Sequence, residues 1–444
     1  MIIGVPTELK NNESRVGLTP SSVQKIVSSG HDVFIQKNAG ANIGFFDNQY
    51  LSSGAKILDS AEDVYKSSEM IVKVKEPIPD EYSYLRDDLT LFTYLHLAGD
   101  PENAKKLIDT GVTGIAYETV TAADGSMPLL APMSTIAGQL AFIVGSYHLL
   151  KHNKGKGVMI GKMEDIEPRI VTVVGAGVAG TQSISKALDN NALVKVLDTS
   201  QSKLQALEKE FGSKNIEYIM STNESVQTSI NDSDLVIGSV YVVGKEAPKV
   251  VSKDMLISMK PGTVMVDVSI DQGGCFESSK PTTHDNPTFV ENDIVHYCVT
   301  NMPGAVPLTA TEALNKVTLS YILNLANKGI DKALSEDKHL RNGLNIQHGT
   351  ITHQGVQDSL RKINGPGYHQ PNSFLYKYIS SPNYFGEMIE WLGWAILTAS
   401  SAGLVFFLWT IANLFPRAIA HHKWYKKRFE NYPKNRKAVI PGII

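Results

Sequence analysis

The 444-residue chain holds two cysteines, Cys275 and Cys298, too few for a disulfide framework, which excludes a disulfide-stapled fold and fits a reducing compartment. It has no surplus of either charge. The 42 Lys+Arg against 45 Asp+Glu leave a formal net charge of -3, without the basic excess expected of a nucleic-acid binder. The opening MIIGVPTELKNNESR lacks the basic-then-apolar layout of a signal peptide. Internal repeats and low-complexity tracts are missing as well, which argues against a solenoid or an array. Long uncharged runs are scarce, with one exception near the C-terminus. At roughly 150 residues per domain, the length suggests about three domains.

What is present is a β–α rhythm. IIGV is followed by a helix in which Thr19 is the expected N-cap, Pro20 the first helical residue, and Val23, Ile26 and Val27 the inward face; HDVFIQ comes next. This predicts a βαβ unit and a mostly parallel sheet. A long helix is expected from Ser134, with Ile136, Leu140, Ile143, Val144 and Tyr147 at helical spacing. Beyond it the continuous apolar runs IVTVV, VKVLD, DLVIGSV, VMVDVSI and VHYCVT read as strands buried on both faces. Leu314, Val317, Tyr321 and Leu325 mark another long helix.

VVGAGVAG places Gly175, Gly177 and Gly180 in G-x-G-x-x-G spacing between a strand and a helix. The first glycine allows the tight turn, the second a close backbone approach to a pyrophosphate, and the third helix–strand packing. Asp198 closes the next strand, where a carboxylate accepts adenosine ribose hydroxyls and repels a 2′-phosphate, so NAD is expected over NADP.

Other polar residues stand in or beside apolar runs. His96 ends LFTYLH, and a histidine there suits proton exchange near neutral pH. Lys75 follows MIVKV and suits a carboxylate or carbonyl; Arg15 lies in a polar loop, where its guanidinium suits bidentate carboxylate binding. Asp271 ends the VMVDVSI run, and Asn301 holds the equivalent place after VHYCVT. Taken alone, each has an ordinary reading as a core histidine, a solvated cation, a helix cap or a turn residue.

GVPTELKNNESRVGLTP, VKVKEPI, TYLHLA, LLAPMSTIAG, VDVSIDQGGCFE and NMPGAVP together resemble alanine dehydrogenase over about 360 residues. The resemblance implies NAD-dependent oxidative deamination of L-alanine to pyruvate and ammonia, commonly by a homohexamer. It implies two Rossmann-like, doubly wound parallel-sheet α/β lobes: a discontinuous substrate lobe, 1–133 and 304–360, around an NAD lobe, 134–303. It also implies that Arg15 and Lys75 hold the substrate, that Asn301 borders it, and that His96 and Asp271 are catalytic. Ser134, Asp198, Lys203 and Val240 would contact NAD beside the three glycines, and no metal is expected. The alternatives are the NAD-binding component of a proton-translocating transhydrogenase, or a catalytically silent scaffold.

The tail differs in kind. Trp391–Phe415 contains no charged residue, and the RAIAHHKWYKKRFENYPKNRK that follows it carries eight Lys/Arg and one Glu. About 20 apolar residues suffice for a helix to cross a bilayer, so a transmembrane helix over 391–415 is expected, anchoring a cytoplasmic catalytic part to lipid. LRKINGPGYHQP, SPNYFGEMIEWLGWA and HHKWYKKRFENYPKNRKAVIP make 361–444 resemble the C-terminal end of membrane steroid 5-alpha-reductases. That resemblance maps NADPH contacts onto Asn383, Glu387, Arg417, His421 and Tyr425. The rest of that family's membrane domain is absent, so steroid reduction is not expected.

Overall fold

The computed structural model describes residues 1–242, 247–363, 374–428, 432–433 and 435–441. The chain divides into two compact units, Met1–Ile363 and Asn364–Ile444.

In the first unit, β1 (Ile2–Val5) leads through a polar loop to α1 (Pro20–Ser28), where Thr19 caps the helix by accepting the Ser22 N–H. Then come β2 (Asp32–Gln36), β3 (Lys56–Leu58), β4 (Met70–Val72), β5 (Thr90–Thr93) and β6 (Thr113–Ala116). The chain leaves through α2 (Ala131–His148), three residues earlier than the periodicity predicted because Pro132 fits a first helical turn. A second set of strands follows: β7 (Ile170–Val174), then α3 (Val178–Asp189), β8 (Leu193–Asp198), β9 (Ile216–Met220), β10 (Leu235–Gly238), β11 (Val264–Asp267), β12 (Thr288–Glu291) and β13 (Ile294–Tyr297). Finally α4 (Pro307–Lys328) carries the chain back, and β14 (Leu344–Gln347) and β15 (Thr350–Ile351) join the first strands.

One sheet runs β15-β14-β6-β5-β4-β1-β2-β3 and the other β12-β13-β11-β10-β7-β8-β9. Both are parallel except at one edge, where β14 and β15 in one sheet and β12 in the other pair antiparallel. In the first sheet β4 and β5 are buried along their whole length, as are β10 and β11 in the second, which explains their continuous apolar sequences. Strand order reverses around β1 in one sheet and around β7 in the other, and ligands of open α/β sheets bind beyond the carboxyl ends of strands at such points.

The second unit departs from expectation. The uncharged stretch 391–415 does not form one helix. It is divided between α5 (Pro382–Thr398) and α6 (Ser401–Arg428), because Ala399 adopts a left-handed conformation at φ 46 and the Ser400 hydroxyl accepts the Gly403 N–H, starting a new helix. Ser401–Lys427 is long and apolar enough to cross a membrane. Asn383, Glu387, Arg417, His421 and Tyr425 lie on these two helices, with His421 stacked on Tyr384. The motif LRKINGPGYHQP runs from Leu360 into 364–371, outside the described residues.

Candidate active site

Past the ends of β5, β11 and β13 the chain opens two adjoining cavities in the first unit. His96, Asp271 and Asn301 line both, as do Ile270 and Gln272. Ser134 lines the first, with Met133, Glu118 and Tyr241; Lys75 lines the second, with Lys10, Glu76 and His284.

The backbone is arranged to present these groups. His96 has a left-handed φ of 49, an unfavourable conformation for a side-chain-bearing residue, and Glu118 holds it there by accepting the His96 N–H at 2.7 Å. The imidazole stacks on Tyr94, with ring centroids 5.7 Å apart and an interplanar angle of 11°. Asn301 is also left-handed, at φ 65. Asp271 is not at a strand end as expected. β11 stops at Asp267, whose buried carboxylate accepts the Ser269, Cys275 and Phe276 N–H groups and the Ser279 hydroxyl, so the chain turns early and Asp271 falls in a short helical turn, Ile270–Gln272. Asn301 is displaced in the same way, four residues beyond the end of β13.

Arg15 lines neither cavity in this structure. It is buried behind Asn301, and its guanidinium is engaged by Glu13 through Nε at 2.8 Å and Nη2 at 2.5 Å. Nη2 also donates to the side-chain Oδ1 of Asn301, and the Asn301 Nδ2 donates to Glu13 at 2.8 Å, closing a three-residue ring. Nη1 points to the sulfur of Met133, at 3.3 Å, and Met133 lines the first cavity. Burial by itself raises the Glu13 pKa, but the bonds and charge of Arg15 outweigh it and hold the carboxyl at about 2. Glu13 is therefore ionised and can neutralise Arg15.

Lys75 is held from below. Glu8 accepts the Val74 N–H at 2.6 Å and the Lys75 N–H at 3.3 Å, and the buried Lys73 bridges Glu8 and Glu81. Glu76 is buried, which raises its pKa, yet Lys75, His96 and Lys10 together draw it down to about 2. Sequence reading missed Glu8, Glu13, Glu76 and Glu118. The signal available was four glutamates within otherwise apolar or motif-dense segments, where an unpaired charge is costly.

The glycine loop reaches the first cavity through Ala179, which lines it with Ser134 and Ser239, while Gly175, Gly177, Gly180, Asp198 and Lys203 are not among its lining residues. Gly175 takes φ 106, and a Cβ on Gly180 would sit 1.8 Å from the Gly175 carbonyl oxygen. A Cβ on Gly177 would meet nothing within 4 Å, and α3 has no side-chain cap. Open space thus faces the unpaired first-turn N–H groups of a helix, the cradle a pyrophosphate fits. Asp198 accepts the Ala176 and Ser200 N–H groups, each at 2.8 Å, with Lys203 3.9 Å away; each oxygen retains capacity for a ribose hydroxyl. Val240 is not among the cavity-lining residues; its carbonyl accepts the Ser269 hydroxyl at 2.7 Å, while its neighbours Ser239 and Tyr241 do line the cavity.

The sequence matches the family profiles for the alanine dehydrogenase/PNT N-terminal domain over residues 4–137 and C-terminal domain over 141–354. It is 46% identical to an alanine dehydrogenase of Halomonas elongata over 359 residues, 81% of this chain and 96% of that one. It is 45% identical to the alanine dehydrogenase of Mycolicibacterium smegmatis over 360 residues, 81% and 97% of the two chains. A solved L-alanine dehydrogenase aligns with TM-score 0.76 and 45% identity, covering 82% of this chain and all of that one. The chain belongs to the alanine dehydrogenase family. It is accordingly an NAD-dependent amino-acid dehydrogenase, an oxidoreductase. A transhydrogenase from Sinorhizobium meliloti aligns with this chain at 24% identity and TM-score 0.67, covering 80% of this chain and 99% of that one, and shares its fold. Residues 342–444 match the profile for 3-oxo-5-alpha-steroid 4-dehydrogenase, a second similarity that overlaps the alanine dehydrogenase profile at 342–354 and runs on to the end of the sequence.

Proposed function

We propose that the protein oxidises L-alanine to pyruvate and ammonia in the cleft lined by His96, Asp271 and Asn301. The observation carrying this reading is that those three groups share both cavities, with Lys75 on one side and Ala179 of the glycine loop on the other. The first-turn N–H groups beside Gly177 and the Asp198 carboxylate would hold NAD, which would supply the acceptor for the hydride that leaves the alanine α-carbon. Arg15 and Lys75 attract the substrate carboxylate, the guanidinium reaching it where Met133 now stands. His96 takes the proton released as the α-amine becomes an imine and returns it to the imine nitrogen; it then accepts a proton from the water that adds to the imine carbon and passes it to the nitrogen, which departs as ammonia while the remaining hydroxyl proton is released to solvent. Asp271, across the same cavity, is the second proton-handling carboxylate. Orientation by Asn301 and exclusion of water between the two sheets supply much of the acceleration. Asp198 favours NAD over its 2′-phosphorylated form by charge.

We also assign the substrate role to 1–133 with 304–360 and the NAD role to 134–303. Assembly is as a homohexamer, for which the exposed Ile143 and Tyr147 of α2 offer apolar contact. Lipid contact falls to the uncharged 391–415 stretch. Alanine-dependent NADH formation by the full-length protein tests the reaction. Inactivity of both the full-length and the tail-deleted chain would instead support the silent scaffold.

A further inference from the structure

The tail's helices lie antiparallel. Trp391 packs on Phe406 with ring centroids 4.4 Å apart, Met388 clusters with Ile411 and Ala418, and Tyr384 stacks on His421. A Cβ on Gly403 would come within 3.1 Å of the Ala395 backbone, so the helices approach closely just below the turn. At the other end the two termini are tied together: the Ser380 N–H donates to the Lys437 carbonyl at 2.8 Å, the Ser381 N–H to the Ala438 carbonyl at 3.1 Å, and the Lys437 N–H to the Tyr378 carbonyl at 2.8 Å. The Ser380 hydroxyl bonds His422 at 2.6 Å.

Polarity follows the same axis. Around the turn, Leu397 is 79% exposed, Ile396 71% and Val405 66%, and Leu404 and Trp409 are exposed beside them. A patch of this kind spread over two helices needs a cover. The tied end carries Arg417, Lys423, Lys426 and Lys427 with Trp424 and Tyr425, the basic and aromatic residues of a membrane–water interface. The turn meets part of its own backbone need, since the Ala399 N–H donates to the Ala395 carbonyl, the Leu404 N–H to the Ser400 carbonyl and the Gly403 N–H to the Ser400 hydroxyl, which lowers the usual obstacle to placing a turn in hydrocarbon. The uncharged parts are short. At about 1.5 Å per residue, Trp391–Thr398 spans ~12 Å and Ser401–Phe415 ~22 Å, against a hydrocarbon core of ~30 Å.

We propose that the tail enters lipid as a helical hairpin, tip first at Thr398–Ser401, with residues before 382 and after 416 on the same membrane face. This rests on the lipid contact proposed above and replaces a single crossing with a reversal. The test uses the full chain, tagged at both ends and synthesised beside sealed phosphatidylcholine/phosphatidylserine vesicles. The expected result is flotation that resists carbonate, with the C-terminal tag fully removed by external protease before detergent is added. Carbonate-resistant flotation with a C-terminal tag protected until detergent overturns the hairpin and leaves lipid contact standing. Failure to float, or sedimentation as a vesicle-free oligomer, overturns lipid contact and the hairpin together. The double variant Ala399→Leu/Ser400→Leu makes the run continuous and should move the tag into the protected fraction. Unchanged accessibility in that variant overturns the role of the turn.

Discussion

The lobe built on the first sheet buries charge, whereas the lobe built on the second buries little. Glu8, Glu13, Arg15, Lys73, Lys75, Glu76, Glu81 and Glu118 are all buried in the first; among the described residues of the second, the buried ionisable carboxylates are Asp234 and Asp267. On the proposed assignment, the difference follows from what each lobe would hold. A small zwitterion has few atoms to grip, so it must be oriented by charges that are themselves locked in place, each with a counter-charge that lowers the cost of burial. A dinucleotide is long and carries a pyrophosphate, which backbone N–H groups and a helix terminus bind with no buried cation. One lobe therefore depends on side-chain identity and the other on backbone shape.

The largest test of that contrast is at His96. Replacement by Ala should lower kcat for alanine oxidation at least about 100-fold, the lower end of a general acid–base contribution, while NADH binding measured by fluorescence titration stays near normal. Near-normal turnover would remove His96 from the proton path. Next comes Glu13→Gln, which keeps the shape of the Arg15 clamp and removes its charge. Loss of one charge-assisted bond corresponds to about 1.5–3 kcal/mol, so the KM for alanine should rise roughly 10- to 100-fold with NAD affinity unchanged. Equal losses in alanine and NAD affinity would mean the charge serves both lobes.

In the second lobe the same replacement at two glycines should have different effects. Gly177→Ala at φ -82 meets no protein atom, so melting should be unchanged while the Kd for NAD rises about tenfold. Gly180→Ala collides with the Gly175 carbonyl and should lower Tm as well as binding. Unaltered NAD affinity in Gly177→Ala would place the pyrophosphate elsewhere. The smallest effect concerns pH. Because Glu13 is held near 2 against an ordinary value of 4.5, its contribution to stability is fully present above about 4.5 and is lost as pH falls towards 2. Between pH 7 and pH 3 the wild type should therefore lose more Tm than Glu13→Gln, with no difference between them in slope from pH 6 to 8.

The glycine loop was readable because its chemistry is local: three glycines, a preceding strand and a following helix all lie within a short stretch. The capped helix Pro20–Ser28 and the long periodic helix Pro307–Lys328, which opens on a proline, were readable for the same reason. The Arg15–Glu13–Asn301 ring was not. Glu13 looked like one more residue of a polar loop, and only the approach of Asn301, 286 positions after Arg15, turns it into the counter-charge of a buried guanidinium. The end of β11 was misjudged by sequence because the apolar run continues past Asp267, while the carboxylate's bonds to Cys275, Phe276 and Ser279 end the strand there.

By itself the sequence determined the family, the alternation of strands and helices, the dinucleotide loop and five of the groups at the cleft, Lys75, His96, Ser134, Asp271 and Asn301. Each depends on neighbours in the chain or on long ordered motifs. Tertiary structure decided which charges are paired, that Arg15 stands behind the cleft wall, and that the uncharged tail reverses at Ala399 and Ser400. Those outcomes depend on groups far apart in sequence, or on a single backbone conformation whose cost is met by contacts along both helices, and neither is written in the spacing of residues.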